Sequence, residues 1–173
     1  MGLIVLIILI IMSIFLCWKY GDWKNWRLYY PTILYLIIGD LAYNILTYRM
    51  PLWSYNINLL NDISTDFLVT AIIYPCAVIL FLTYYPKLIK KQVAYLLLWV
   101  FIYSLAEYIA SIFGSFIYSN GWTKGWSILF NCIMFPLLYL HYKRPLWVGR
   151  SRSPFSLEYP CGITPPRPSQ NRT

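Results

Sequence analysis

Apolar residues in this chain come in long unbroken runs, not at helical or alternating spacing, and polar residues collect between the runs. Five runs stand out, at residues 2–18, 30–47, 67–85, 93–118 and 126–141. Each is at or near the ~17–25 residues that an α-helix needs to cross a bilayer. A helix on the surface of a soluble protein shows one apolar stripe, whereas one apolar all round sits in a large core or in lipid. The pattern predicts an all-α integral membrane helical bundle with about five transmembrane helices, occupying residues 1–147.

The flanks of the runs refine this reading. A secretory signal peptide starts basic and ends at a small-residue cleavage site. Here Lys19 follows the first run, and Cys17-Trp18-Lys19-Tyr20 offers no such site, so the run is expected to remain as an anchor. Pro31 is expected in the first turn of the second helix, where its missing N–H costs nothing. Pro75 is expected to kink the third helix and to free a carbonyl that a neighbour must satisfy. Residues 61–66 supply N-cap candidates, and Asp62 and Asp66 read as cap and dipole partners, not as a catalytic dyad.

From Val148 to Thr173 the character changes. Five prolines and four arginines replace the apolar pattern, which predicts a disordered cytoplasmic tail. Pro165-Pro166-Arg167-Pro168 resembles Pro-rich ligand peptides, but matches this short are common. We expect an unstructured tail.

Composition supports lipid as the solvent. The chain is 60% hydrophobic and only 12% charged, against roughly half and a quarter for soluble domains. The net charge of +8 would suggest nucleic acid in a soluble protein. Here the basic residues flank apolar runs, so anionic head groups and topology account for them. If every run spans, twelve of the fourteen Lys and Arg residues fall on one side, with Arg49 and Lys124 on the other. Cytoplasmic loops collect Lys and Arg, so the N-terminus is expected outside and the C-terminus inside. Aromatic residues gather at the same boundaries, among them Trp18, Trp23, Trp26, Trp53 and Trp122, as anchors at head-group level. The expected partners are the lipid bilayer and other membrane proteins, with no nucleic acid.

Enzyme signatures are missing from the sequence. Cys17, Cys76, Cys132 and Cys161 show no metal spacing, and His141 is the single histidine, read here as an interfacial anchor. No G-x-S-x-G, P-loop or dinucleotide fingerprint occurs. Neither a catalytic activity nor a cofactor or metal is expected.

Charges in the bilayer core cost about 2.5–3.5 kcal/mol on insertion scales, so each one needs a reason. Asp40 and Glu107 are the two acids within the runs, and Asn131 sits at about the same depth. Asn44 lies one turn from Asp40, and Ser104 and Ser111 flank Glu107 at helical spacing. Asp40, Asn44, Glu107 and Asn131 form the candidate intramembrane polar cluster. Its favoured reading is an interhelical hydrogen-bonded clamp. The competing reading is a proton or cation site.

Certain stretches are more specific. Lys19-Tyr20-Gly21-Asp22-Trp23-Lys24-Asn25-Trp26 with Tyr29-Tyr30-Pro31-Thr32, and Asn120-Gly121-Trp122 with the segment from Trp126 to Pro136, resemble an uncharacterised family of small multi-span membrane proteins of endospore-forming Gram-positive bacteria. The resemblance covers residues 1–146 and implies a multi-pass protein of the bacterial plasma membrane, with no activity to carry over. Members continue after the Lys-Pro-Leu step with another apolar run, where this chain has its Pro/Arg tail. A reading-frame change near codon 148 is our hypothesis for that shift. Sequencing beyond it and finding no apolar segment in either other frame would sink the idea. The expected role is a non-enzymatic structural or accessory membrane component; the alternative is a small ion or proton permease using Asp40 and Glu107.

Overall fold

The computed structural model describes residues 2–57 and 62–144. The expected Pro/Arg-rich tail, with Cys161, lies outside the described residues. Five helices account for most of the described chain: α1 (Gly2–Tyr20), α2 (Trp26–Leu46), α3 (Asp62–Thr83), α4 (Ile89–Ile112) and α5 (Lys124–Lys143). Each contains most of one apolar run. The protein is mostly helical, with one small sheet that the all-α expectation lacked. Three helices, α1, α3 and α4, are long and apolar enough to cross a membrane. The other two have comparable length, 21 residues in α2 and 20 in α5, but a lower mean hydropathy.

The fourth run was expected to stay helical to residue 118, and the helix instead ends at Ile112. Gly114 adopts φ +70, a left-handed conformation that glycine takes without the Cβ penalty. The Ser115 N–H donates to the Ala110 carbonyl at 3.0 Å and the Gly114 N–H to that of Ser111 at 3.1 Å. This pair of bonds is a Schellman cap, and it closes the helix. The residues beyond it, Phe116–Tyr118 (β2), then pair antiparallel with Trp53–Tyr55 (β1), Ser54 opposite Ile117. Aromatic and β-branched side chains suit that pleat better than a continued helix.

Pro31 departs from expectation, and the distortion expected at Pro75 takes the form of a π turn. α2 starts at Trp26, so Pro31 lies inside the helix, not in its first turn. The helix starts early because Asp22 ties down Asn25 and Tyr29; Pro31 then leaves the Arg27 carbonyl without its usual intrahelical donor. In α3, the segment Val69–Ile73 is a π-helical turn, and the Tyr74 N–H donates to the Val69 carbonyl. Such a turn lets a helix absorb Pro75, which has no N–H to offer.

The helices run alternately up and down. The sheet joins the segments after α2 and α4 at one end, while the Tyr84 hydroxyl donates to the Tyr20 carbonyl at 3.0 Å at the other. α3 packs between α1 and α2, and α4 packs mainly on α5. The core centres on Phe81, fully enclosed. Its ring stacks on Tyr95 of α4 at 5.7 Å and meets Trp99 and Phe135 at 5.6 and 5.2 Å. α3 and α4 are thus joined by rings, and by the Tyr95 hydroxyl donating to the Phe81 carbonyl at 3.0 Å, without close backbone approach. Much of the outer face stays apolar and exposed, including Ile4, Ile8, Ile11 and Trp18 on α1 and Leu97, Leu98 and Phe101 on α4.

Candidate functional site

The four residues singled out in the sequence fall into two groups. Asp40, half-buried on α2, faces the π turn of α3. Thr70 Oγ1 donates to its Oδ2 at 2.6 Å and the Tyr74 hydroxyl to its Oδ1 at 3.4 Å. One turn further along α2, Asn44 Nδ2 donates to Asp66 Oδ2 at 2.5 Å. Two carboxyls therefore fasten α2 to α3. Asp66 makes this lateral bond, not the cap expected of it. Asp62 does head α3, where its Oδ1 accepts the Tyr55 N–H at 2.6 Å and so joins β1 to the helix.

Glu107 and Asn131 belong to the second group. They line a cavity of about 770 Å³ bounded by α1, α3, α4, α5 and the sheet. Its wall is overwhelmingly aliphatic and aromatic, with Trp53, Tyr55, Trp99, Tyr103 and Trp122 among its rings. The cavity exists because α4 leans mainly on α5 and approaches α1 and α3 closely at few points. Glu107 Oε1 is buried and has no hydrogen-bond partner, although the hydroxyls of Ser127 and Tyr118 adjoin the carboxyl. Ser127 is itself held by Trp122 Nε1, which donates to its Oγ at 2.8 Å. A smaller recess of about 170 Å³ opens on the far side of Glu107, lined by Ser104, Tyr108, Tyr118 and Lys124. The Lys124 ammonium stands over the Tyr108 ring, 4.4 Å from its centroid.

Tyr55 on β1 connects the two groups. It lines the cavity and lies within electrostatic reach of Asp66, Asp40 and Glu107. Its place in the sequence carries no such signal, because the pairing of β1 with β2 is what brings it inward. Thr70, Tyr74, Ser127 and Tyr118 were equally silent; each is an ordinary polar residue until a neighbouring helix presents a carboxyl.

The Trp-rich motifs are explained by local structure. Asp22 Oδ2 accepts from Asn25 Nδ2 at 2.8 Å and from the Tyr29 hydroxyl at 3.2 Å, while Trp23 Nε1 donates to the Cys17 carbonyl at 2.9 Å. These bonds fold the α1–α2 connection back on itself. In the second motif Asn120 and Gly121 take φ 49 and 80, and the Trp122 N–H donates to the Ser119 carbonyl at 3.0 Å, the geometry of a type I′ turn. His141 is not the interfacial anchor expected. It is buried, 3.1 Å from Thr32 Oγ1 through Nδ1, and stacked on Tyr35 at 4.4 Å, because α2 packs over it.

Chemically, the first group can hold helices together and the second can receive a guest. Among the described residues, no group of three or more His, Cys, Asp or Glu side chains could hold a metal ion. No protein-family model, curated protein or solved structure matches this chain.

Proposed function

We propose that this chain is a non-enzymatic multi-pass protein of the bacterial plasma membrane, threaded N-terminus outward, whose bundle holds a small amphipathic molecule. The observation that carries this reading is the cavity, whose volume of about 770 Å³ lies in the usual ~300–1,000 Å³ range of ligand sites. Its wall is apolar apart from a few convergent polar groups, the composition typical of such sites.

Membrane residence is supported by the three long apolar helices and by the exposed aliphatic surface of α1 and α4, which water would penalise. Orientation rests on charge. Lys19, Lys24, Arg27, Lys87, Lys90, Lys91, Lys143 and Arg144 gather at one end of the bundle, against Arg49 and Lys124 at the other. By the positive-inside bias the first end is cytoplasmic. An accessory role beside other membrane proteins is compatible with this reading. The permease alternative is weakened for Asp40, whose two oxygens both accept hydrogen bonds.

Two experiments test the proposal. Asn120→Cys and Lys87→Cys, each in a background lacking the native cysteines, are expected to differ toward an impermeant maleimide on intact cells. The first should be labelled and the second protected; the reverse result would overturn the threading. For the cavity, triphenylphosphine oxide is added to the protein in lipid nanodiscs and binding is followed by quenching of tryptophan fluorescence, corrected with empty discs. Ala106 lines the cavity, so Ala106→Phe should abolish saturable quenching. Quenching equal in both proteins would place the probe elsewhere.

A further inference from the structure

We propose that the cavity is a binding site for lipophilic monocations, molecules with an apolar body and one positive charge, with Glu107 as their counter-charge. The inference rests on the reading of the cavity as a ligand site and adds the chemical class of its occupant. Glu107 brings a carboxyl to a wall that is mostly apolar; its Oε1 is buried without a hydrogen-bond partner, and the neutral hydroxyls of Ser127 and Tyr118 adjoin the carboxyl. Hydroxyls supply no positive charge, so a carboxylate here lacks a counter-ion, and a cation placed beside it offsets the cost of burying its charge. No Lys or Arg lines the large cavity. Lys124 lies in the separate smaller recess, its ammonium over the Tyr108 ring.

The rest of the wall selects among cations. Trp53, Tyr55, Trp99, Tyr103 and Trp122 offer aromatic faces, which attract a positive charge through the ring quadrupole. They also bury an apolar body. A hard cation such as Ca²⁺ or Mg²⁺ needs six or so oxygen ligands, and this wall has too few. Amphipathic anions meet Glu107 as a like charge. Neutral apolar molecules gain burial alone. Asp40 does not line the cavity, its carboxyl being turned to Thr70 and Tyr74, which leaves Glu107 as the cavity's counter-charge.

The test compares tetraphenylphosphonium with neutral triphenylphosphine oxide, using tryptophan quenching in nanodiscs with empty-disc correction. The cation is expected to bind the wild type about tenfold or more tightly than the neutral probe. Glu107→Gln should remove that preference while leaving the neutral probe's affinity unchanged. Equal affinities in the wild type, or a preference that survives Glu107→Gln, would overturn the cation assignment and leave the cavity reading standing. Saturable binding of neither probe would overturn both. If Glu107→Gln is not recovered folded, Glu107→Asp serves. It keeps the charge but withdraws it by one methylene, and should weaken the cation alone; an unchanged cation affinity there would also refute the assignment.

Discussion

Replacing Thr70 with Val keeps the shape of a buried side chain and removes the hydroxyl that donates to Asp40 at 2.6 Å. Thr70 is only 4% exposed, so the lost donor has no ready substitute from outside the bundle. A hydrogen bond to a charged group is worth about 1.5–3 kcal/mol in soluble proteins. Between helices in a bilayer the measured average is nearer ~0.6 kcal/mol and the maximum about 1.7. The 2.6 Å bond is short, while the Tyr74 bond at 3.4 Å is long. We therefore expect Thr70→Val to cost about 1–1.5 kcal/mol, near the upper membrane figure, and Tyr74→Phe less than about 0.5. Asp40→Leu should cost more alone than in combination with Thr70→Val, because the double variant leaves no orphaned hydroxyl. The assay is reversible unfolding by SDS in mixed micelles, read by tryptophan fluorescence. A coupling of about 1 kcal/mol between the two sites is expected. Additivity within ~0.3 kcal/mol would refute the clamp.

Three other outcomes follow from the geometry. Phe81→Ala removes the ring on which Tyr95, Trp99 and Phe135 converge, and should cost about 3–5 kcal/mol in the same assay; a loss under ~1 would mean the ring cluster is not the core. Gly114→Ala forces φ +70 on a residue with a Cβ, and although nothing lies within 4 Å, about 1 kcal/mol should be lost. Gly114→Asn should recover part of that loss, and no difference between Gly and Ala would argue against the left-handed cap. The hydrogen bond from Asn25, with a second from Tyr29, holds the Asp22 carboxyl below the usual carboxylate range. A depressed folded pKa stabilises above the unfolded value and fades as pH falls through the folded one. The wild type should therefore protect the amides of the α1–α2 connection from hydrogen exchange better than Asp22→Asn at pH 7. That advantage should shrink below about pH 4; one that persists undiminished at about pH 2 would contradict the assignment.

What was legible in the sequence follows from what each residue's signal depends on. Continuous apolar runs reveal helices because length and lack of charge are local properties, so five helices lie on the five runs. Their ends were less visible. Gly114 looked like one glycine within an apolar run, and only its positive φ shows that the helix stops there. Pro31 misled in the opposite direction, because the bonds to Asp22 that start α2 early involve side chains, not periodicity. Counting residues along each helix placed Asp40, Glu107 and Asn131 at a similar depth. It carried no information on which way each helix is rotated, and rotation is what separates Asp40 on the α2–α3 contact from Glu107 on the cavity wall. The cavity had no sequence signal at all. Its walls come from four helices and a sheet, and its volume depends on how far apart they stand.

The loose seating of α4 has a mechanical corollary. Because α4 packs mainly on α5, the hairpin of α4 and α5 forms one panel, held to the other helices at several points. The strip of sheet holds it at one end; the rings around Phe81 and the contact of His141 with Thr32 hold it toward the other. Tilting such a panel changes the cleft's width through small shifts at these contacts, the shear or hinge movement by which packed helices yield. Guests of different girth would then be met by rotation of one rigid piece, and girth would discriminate among them less than charge.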